Sequence, residues 1–274
     1  MMPLGVVLRM IWNPCAENAF LLKCLSTLMP SKRLADLFLD VYSDPSLDQY
    51  LFIIANFILY GMTKCEKSDI TQDQAYHRKI CAQNIESGLA ALPLFLPRTH
   101  SVALALVLGC IYWMENSEPH LAWTSVVAAS ETSQSLGYHK QGLGSDIGSD
   151  EPNSSGLLFW LIYFNEKTLS LRLGRTSTIP EEDITIPPPG GNHQSGPIMF
   201  YCQIQIRVAR AAGKIYSDLY SAYSLTMSPS YRRAKVKVLE REIQALQKAS
   251  AFNQASYFTR THTRECFGLC FKSR

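Results

Sequence analysis

The sequence predicts an all-α domain, an irregular set of helices crossed by one proline-rich extended strap and without a regular repeat. Three observations carry this. Apolar residues recur at helical spacing along nearly the whole chain, whereas the alternation of a half-buried strand is hard to find. Ser, Thr, Asp, Gly and Pro fall between these runs, where helix ends need them. No segment returns at a fixed interval, which argues against a solenoid. With 47% hydrophobic and 18% charged residues among 274, the chain has the balance of a globular protein and enough length for a large core.

The elements follow in order. Residues 1–29 are set apart as an N-terminal segment, 30–251 form the domain, and 252–274 form an irregular C-terminal tail. Ala35, Phe38 and Leu39 mark a short helix ending near Asp44-Pro45. Residues 47–62 form a helix that is apolar almost all round, followed by a polar stretch at 63–68. Asp69 or Thr71 caps the helix carrying Tyr76, Ile80 and Leu89, because a side-chain oxygen there accepts from backbone N–H groups that lack partners. Pro93 and Pro97 then force a turn.

Thr99 or Ser101 starts a helix through Trp113, and residues 116–119 end it. The helix from Leu121 to Leu136 closes on Gly137, where a left-handed backbone suits glycine. Residues 141–155 are rich in Gly, Ser, Asp and Pro, a surface loop. Ser154 or Ser155 caps a helix holding Phe159, Ile162, Tyr163 and Leu169, which Gly174 closes. Residues 179–189 are extended, since each proline bars its predecessor from helix and removes a donor. Ile179, Ile184 and Ile186 pin this strap to the helices. After a loop at 190–197, a long helix runs through Tyr223. A last one, about 231–251, sets Val236, Leu239, Ile243 and Leu246 in one apolar stripe.

Composition also narrows function. A net charge of +3 gives no support for direct DNA contact. The longest apolar runs, 51–62 and 102–114, fall short of the roughly 18–20 residues that span a bilayer, so no membrane partner is expected. The first ten residues lack the charge-then-apolar order of a secretory signal, which favours a cytosolic or nuclear protein. Most of the eight cysteines stand alone in apolar helices, as small buried hydrophobes do. Cys266 and Cys270, even with His262, do not complete a tetrahedral zinc site.

Residues 142–148 resemble a dinucleotide loop but miss the glycine spacing and follow no strand. Asn153-Ser154-Ser155 matches a glycosylation sequon but reads as a helix cap. No metalloprotease or nucleophile-elbow motif is present, so no catalytic residue is assigned and no enzyme is expected. Arg232, Arg233, Lys235, Lys237 and Arg241 form one basic cluster, either a contact surface for import factors or phosphates or a solvated helix face. Arg172 and Arg175 bracket a glycine ahead of Glu181-Glu182-Asp183. The forked guanidinium suits carboxylates, so the arginines either lock the strap down or form an anion site.

Residues 158–189 also carry a resemblance. Phe159-Trp160, then Ser170, Arg172, Gly174 and Arg175, then Ile179, Glu182-Asp183 and Pro187 resemble the signature of the fungal-specific transcription factor domain, the middle homology region of binuclear zinc-cluster regulators. Thr176 stands where that family commonly has proline. Ala128-Ala129 and Leu136-Gly137-Tyr138-His139-Lys140 resemble its alanine-rich helix and the turn after it, and residues 214–221 resemble its Leu-Tyr-Ser helix end. Agreement in order and spacing covers about residues 30–250.

The resemblance implies a nuclear, all-helical regulatory domain in a factor controlling RNA polymerase II transcription. Its partners would be a zinc-cluster regulator, a coactivator or a second copy, with a small-molecule effector as the alternative. In that family DNA is read by a separate cluster of six cysteines holding two zinc ions. No such cluster occurs in this sequence, so no residue here is assigned to zinc and DNA would be reached only indirectly. The sequence thus reads either as a short regulator, acting as a decoy for a full-length relative, or as the core of a longer one.

Overall fold

The computed structural model describes residues 25, 27–29, 34–43, 48–63, 72–141, 154–190 and 197–257. Expectations at Asp69 and Thr71, in the loop at 142–153, for Cys15, Cys24, Cys65, Cys266, Cys270 and His262, and for the tail past 257 fall outside them, as does most of the segment 1–29. The described residues are mostly helical and include no strand. The order is α1 Leu34–Ser43, α2 Gln49–Met62, α3 Gln72–Ala90, α4 His100–Glu115, α5 Pro119–Ser135 and α6 Ser154–Leu173. A 3-10 turn Glu181–Asp183, α7 Pro197–Ile215, a π turn Tyr216–Tyr220, α8 Ala222–Thr226 and α9 Pro229–Tyr257 complete it.

Local chemistry sets the boundaries. Asp48 caps α2 by accepting from Tyr50 N at 3.0 Å, and Thr99 caps α4 by accepting from Val102 N at 3.3 Å. Pro119 opens α5, where its missing N–H has no partner to lose. Gly137 follows α5 with φ 75°.

Two helices make the centre. α4 packs against α2, α5 and α6, and every residue from Val102 to Cys110 is buried. That explains its lack of a polar face. α6 packs against α4, α5 and α7, burying Leu157, Leu158, Phe159, Trp160, Ile162 and Tyr163. Glycines permit close approach: a Cβ on Gly88 of α3 would lie 2.7 Å from Ile53 Cγ1 on α2. Ile53 is fully buried and β-branched, so it has little room to give. Gly88→Ala is therefore expected to lower stability by about 1 kcal/mol despite alanine's better helix propensity, read by urea denaturation.

The structure departs from the sequence expectation in four places. The helix after the strap does not run unbroken through Tyr223. Ser221 N bonds Tyr216 O at 2.8 Å, closing a π turn, and the Ser221 hydroxyl accepts from Ser224 N at 3.1 Å to start α8. Serine here caps the next helix rather than extending the last. α9 starts at Pro229 and continues past Ala251 to Tyr257, beyond the expected boundary of the tail. Of its expected stripe only Leu239 is fully buried; Ile243 and Leu246 are half-buried and Val236 is 43% exposed. The strap is not extended throughout, because Pro180 leads the acidic run into the 3-10 turn. Its fixed φ and the three carboxylates in one first turn both favour that start.

Candidate functional site

The segment that the structure treats most unusually is the strap, residues 174–190, and the helix beneath it. α6 stops where Gly174 takes φ 64°. Arg175 N then donates to Ser170 O at 2.9 Å, and the Ser170 hydroxyl donates to Arg175 O. Ser170, Gly174 and Arg175 thus form one helix stop, with glycine in the left-handed position.

Past this turn the strap is tied at four points. Glu166, fully buried on α6, accepts from Thr178 N at 2.6 Å and from the Ser177 hydroxyl at 2.8 Å. The Thr178 hydroxyl lies 3.2 Å from Glu166 Oε1 and 3.1 Å from Ser130 Oγ on α5, and donates to one of them at a time. Next to it, Lys167, only 4% exposed, donates from Nζ to Ile179 O at 2.6 Å and lies 3.4 Å from Glu181 Oε1. Tyr163 donates to the same Glu181 carboxylate. Further on, His139 O accepts from Thr185 N at 3.0 Å and Ile186 N at 3.2 Å. Finally, the Trp160 indole donates to Pro187 O at 3.2 Å. Ile179 seals the middle at 2% exposure, and Ile184 and Ile186 pack on the core.

Burial dominates the electrostatics. It raises the Glu166 carboxyl above the ordinary range, although the bonds from Thr178 and Ser177 and the Lys167 charge pull the other way. The Tyr163 hydroxyl is raised by burial and by its bond to Glu181. The His139 imidazole is lowered, first by burial and then by Lys140, with Asp183 opposing. Its Nδ1 is buried without a hydrogen-bond partner, so what the histidine gives the strap is its backbone carbonyl.

The expected strap lock therefore exists, but the expected arginines do not make it. Arg172 is exposed with Nη1 at 4.0 Å from Met114 Sδ, and Arg175 lies 5.5 Å from the Trp123 ring centroid. Their contacts are thus with α4 and α5 rather than with Glu181, Glu182 and Asp183, all three of which are exposed. Phe159 and Trp160 are core residues at 0% and 3% exposure. Leu136 and Gly137 form the turn that delivers His139, so the two upstream and downstream stretches meet at the strap. Glu166, Lys167 and Tyr163 were missed. Phe159, Tyr163, Glu166 and Ser170 recur at helical spacing, which places an acid on the core face of an apolar helix, and that was the available signal.

The basic cluster sits on α9. Arg233 and Lys237 are exposed, Arg232 is half-buried, and Lys235 lies 3.3 Å from Asp218 in the π turn. Lys214 on α7 bonds Glu242 on α9 at 2.8 Å. Among the described residues no three His, Cys, Asp or Glu side chains come together to hold a metal. Burial pushes the Cys81 thiol up to about 12 and Cys202 up to about 11, away from the thiolate that binds zinc. No described helix is long and apolar enough to cross a membrane.

The sequence also matches known proteins. The family described as "Fungal specific transcription factor domain" matches residues 36–248. An uncharacterised transcriptional regulatory protein of Schizosaccharomyces pombe is 24% identical over 142 residues, covering 47% of this chain and 18% of that protein. An ABC-transporter-regulating transcription factor of Aspergillus oryzae is 25% identical over 163 residues, covering 55% of this chain and 18% of its own length. The lactose regulatory protein LAC9 of Kluyveromyces lactis is 28% identical over 161 residues, 57% of this chain and 18% of that protein. The chain thus matches less than a fifth of the length of these relatives. No solved structure matches it.

Proposed function

Because the chain belongs to the fungal specific transcription factor domain family, we propose that it is a regulatory domain acting on RNA polymerase II transcription in the nucleus. It works through protein contacts, holds no zinc and reaches DNA only through another domain or partner. The observation that carries this reading is the family match over the helical body, within which the two stretches at 136–140 and 158–189 build one strap lock. The buried acid and lysine of α6 are both engaged in holding backbone, a structural use rather than a reactive one. In a reporter assay, the chain fused to an unrelated DNA-binding domain is expected to change output at least threefold against that domain alone. Unchanged output, or nanomolar binding of promoter DNA by the chain itself, would remove the reading.

A second reading, effector sensing, draws on the exposed Arg172 and Arg175 side chains, which the strap does not use. An anionic effector bound there would raise the melting temperature of the native protein and lose that effect in Arg172→Ala.

A further inference from the structure

Among the described residues, eleven large hydrophobic side chains are exposed, and six of them fall between positions 220 and 238: Tyr220, Tyr223, Leu225, Tyr231, Val236 and Val238. The same end of the molecule is basic. Residues 207–248 carry nine Lys and Arg against three Asp and Glu, a net +6 in a chain whose total is +3. Exposed apolar and basic groups thus share one region, and α9 orders them.

Leu239 marks the face of α9 that lies against α7. At 3.6 residues per turn, Tyr231, Ala234, Val238 and Ala245 line one flank beside that face, at the 3-4-7 spacing of a coiled-coil seam. Tyr231 is 42% and Val238 52% exposed, and both alanines are exposed. Lys237, Arg241 and Lys248 run along the outer edge of this flank, all exposed. The inner edge is already engaged, by Lys235 with Asp218 and Glu242 with Lys214. The seam therefore offers a partner an apolar stripe with positive charge on its one available side.

We infer that this flank of α9 docks an acidic amphipathic helix of a partner protein, its apolar residues on Tyr231, Val238 and Ala245 and its carboxylates on Lys237, Arg241 and Lys248. Charge selects this occupant. A second copy would set Arg241 and Lys248 against their own kind, which disfavours self-pairing. A nucleic acid would match the charge but would leave the valine and alanines of the seam without a complementary surface. The inference deepens the proposed regulatory role by naming the partner's chemistry, and direct binding separates the two: reporter output can persist while binding fails, and the reverse.

The test is fluorescence anisotropy with the full chain and three probes. One is an acidic 21-residue peptide with leucine at seam positions and glutamate on the flanks. The second has the same composition scrambled, and the third is a 20-base-pair duplex. The amphipathic peptide is expected to bind with a Kd on the order of 10 μM and at least tenfold tighter than the scrambled one. Affinity should fall with added salt. Val238→Asp, and Lys237→Glu combined with Arg241→Glu, should each weaken it at least tenfold, while Lys79→Glu on α3 should not. These positions are exposed, so circular dichroism and melting temperature should stay as in the parent. Equal binding of the scrambled peptide, tighter binding of the duplex, or parental affinity in both seam variants would overturn the inference.

Discussion

Lys167→Met is expected to lower the unfolding free energy by about 3 kcal/mol. Methionine keeps the length and the packing of the stem, so the loss isolates the ammonium. Without it Ile179 O loses a 2.6 Å charge-assisted bond in a buried place, Glu181 loses an ion pair at 3.4 Å, and buried Glu166 loses a neighbouring positive charge. Backbone amides of the strap should also exchange faster with solvent, those of Thr178 and Ile184 above all, while amides in the middle of α4 should be slowed as before. An intact strap in the variant, with unchanged exchange, would mean that Ile179 and the Trp160 bond suffice to hold it.

Glu166→Ala should cost about 2–4 kcal/mol, because it removes the acceptor of the Thr178 N–H and of the Ser177 hydroxyl and leaves a cavity where a fully buried side chain stood. Glu166→Gln should behave differently. Its amide oxygen still accepts from Thr178, and its NH2 donates to the Ser177 oxygen once that hydroxyl turns away. The comparison with wild type then depends on pH with a definite sign. Burial raises the Glu166 carboxyl, so the native state holds this proton to higher pH than the unfolded chain does. The stability contributed by Glu166 is fully present below the ordinary carboxylate value of 4.5 and is lost as pH rises through the raised native value. Glutamine does not titrate. Urea denaturation from pH 4 to 8 should therefore show the variant gaining on wild type as pH rises. A gap that stays constant with pH would show that Glu166 titrates alike in both states.

Much of this was legible in the sequence, for a physical reason that also explains the misses. Helix identity follows from side-chain periodicity and caps, which are local, so Asp48-led α2, Thr99-led α4 and the Gly137 and Gly174 stops are all readable. The π turn was not, because it depends on which carbonyl Ser221 N selects, and Tyr216 and Ser217 compete for it. Of the two sequence readings of the strap, a lock or an anion site, the lock named arginines, whereas Lys167 is the cation that reaches the strap backbone. Arginine is the better carboxylate partner in general. Here the deciding quantity is rotation about α6: Lys167 faces the strap, whereas Arg172 and Arg175 come after the helix has turned away toward Met114 and Trp123. Sequence spacing alone also undervalued Glu166, since an acid beside a lysine on a helix usually marks a solvated face.

The lock has a bearing on the order in which the chain folds. Its bonds from Glu166 to Ser177 and Thr178, from Lys167 to Ile179 and from Tyr163 to Glu181 join positions only 11 to 18 apart. Loops that short close with little entropy loss, in well under a microsecond once the helix is present. The contact between Thr178 and Ser130 spans 48 positions and must wait for α5 to arrive. A hairpin of α6 and its strap can thus form first and serve as the surface on which α4, α5 and α7 assemble. In stopped-flow refolding, Lys167→Met should slow the folding limb, whereas Gly88→Ala at the distant α2–α3 contact should act mainly on the unfolding limb.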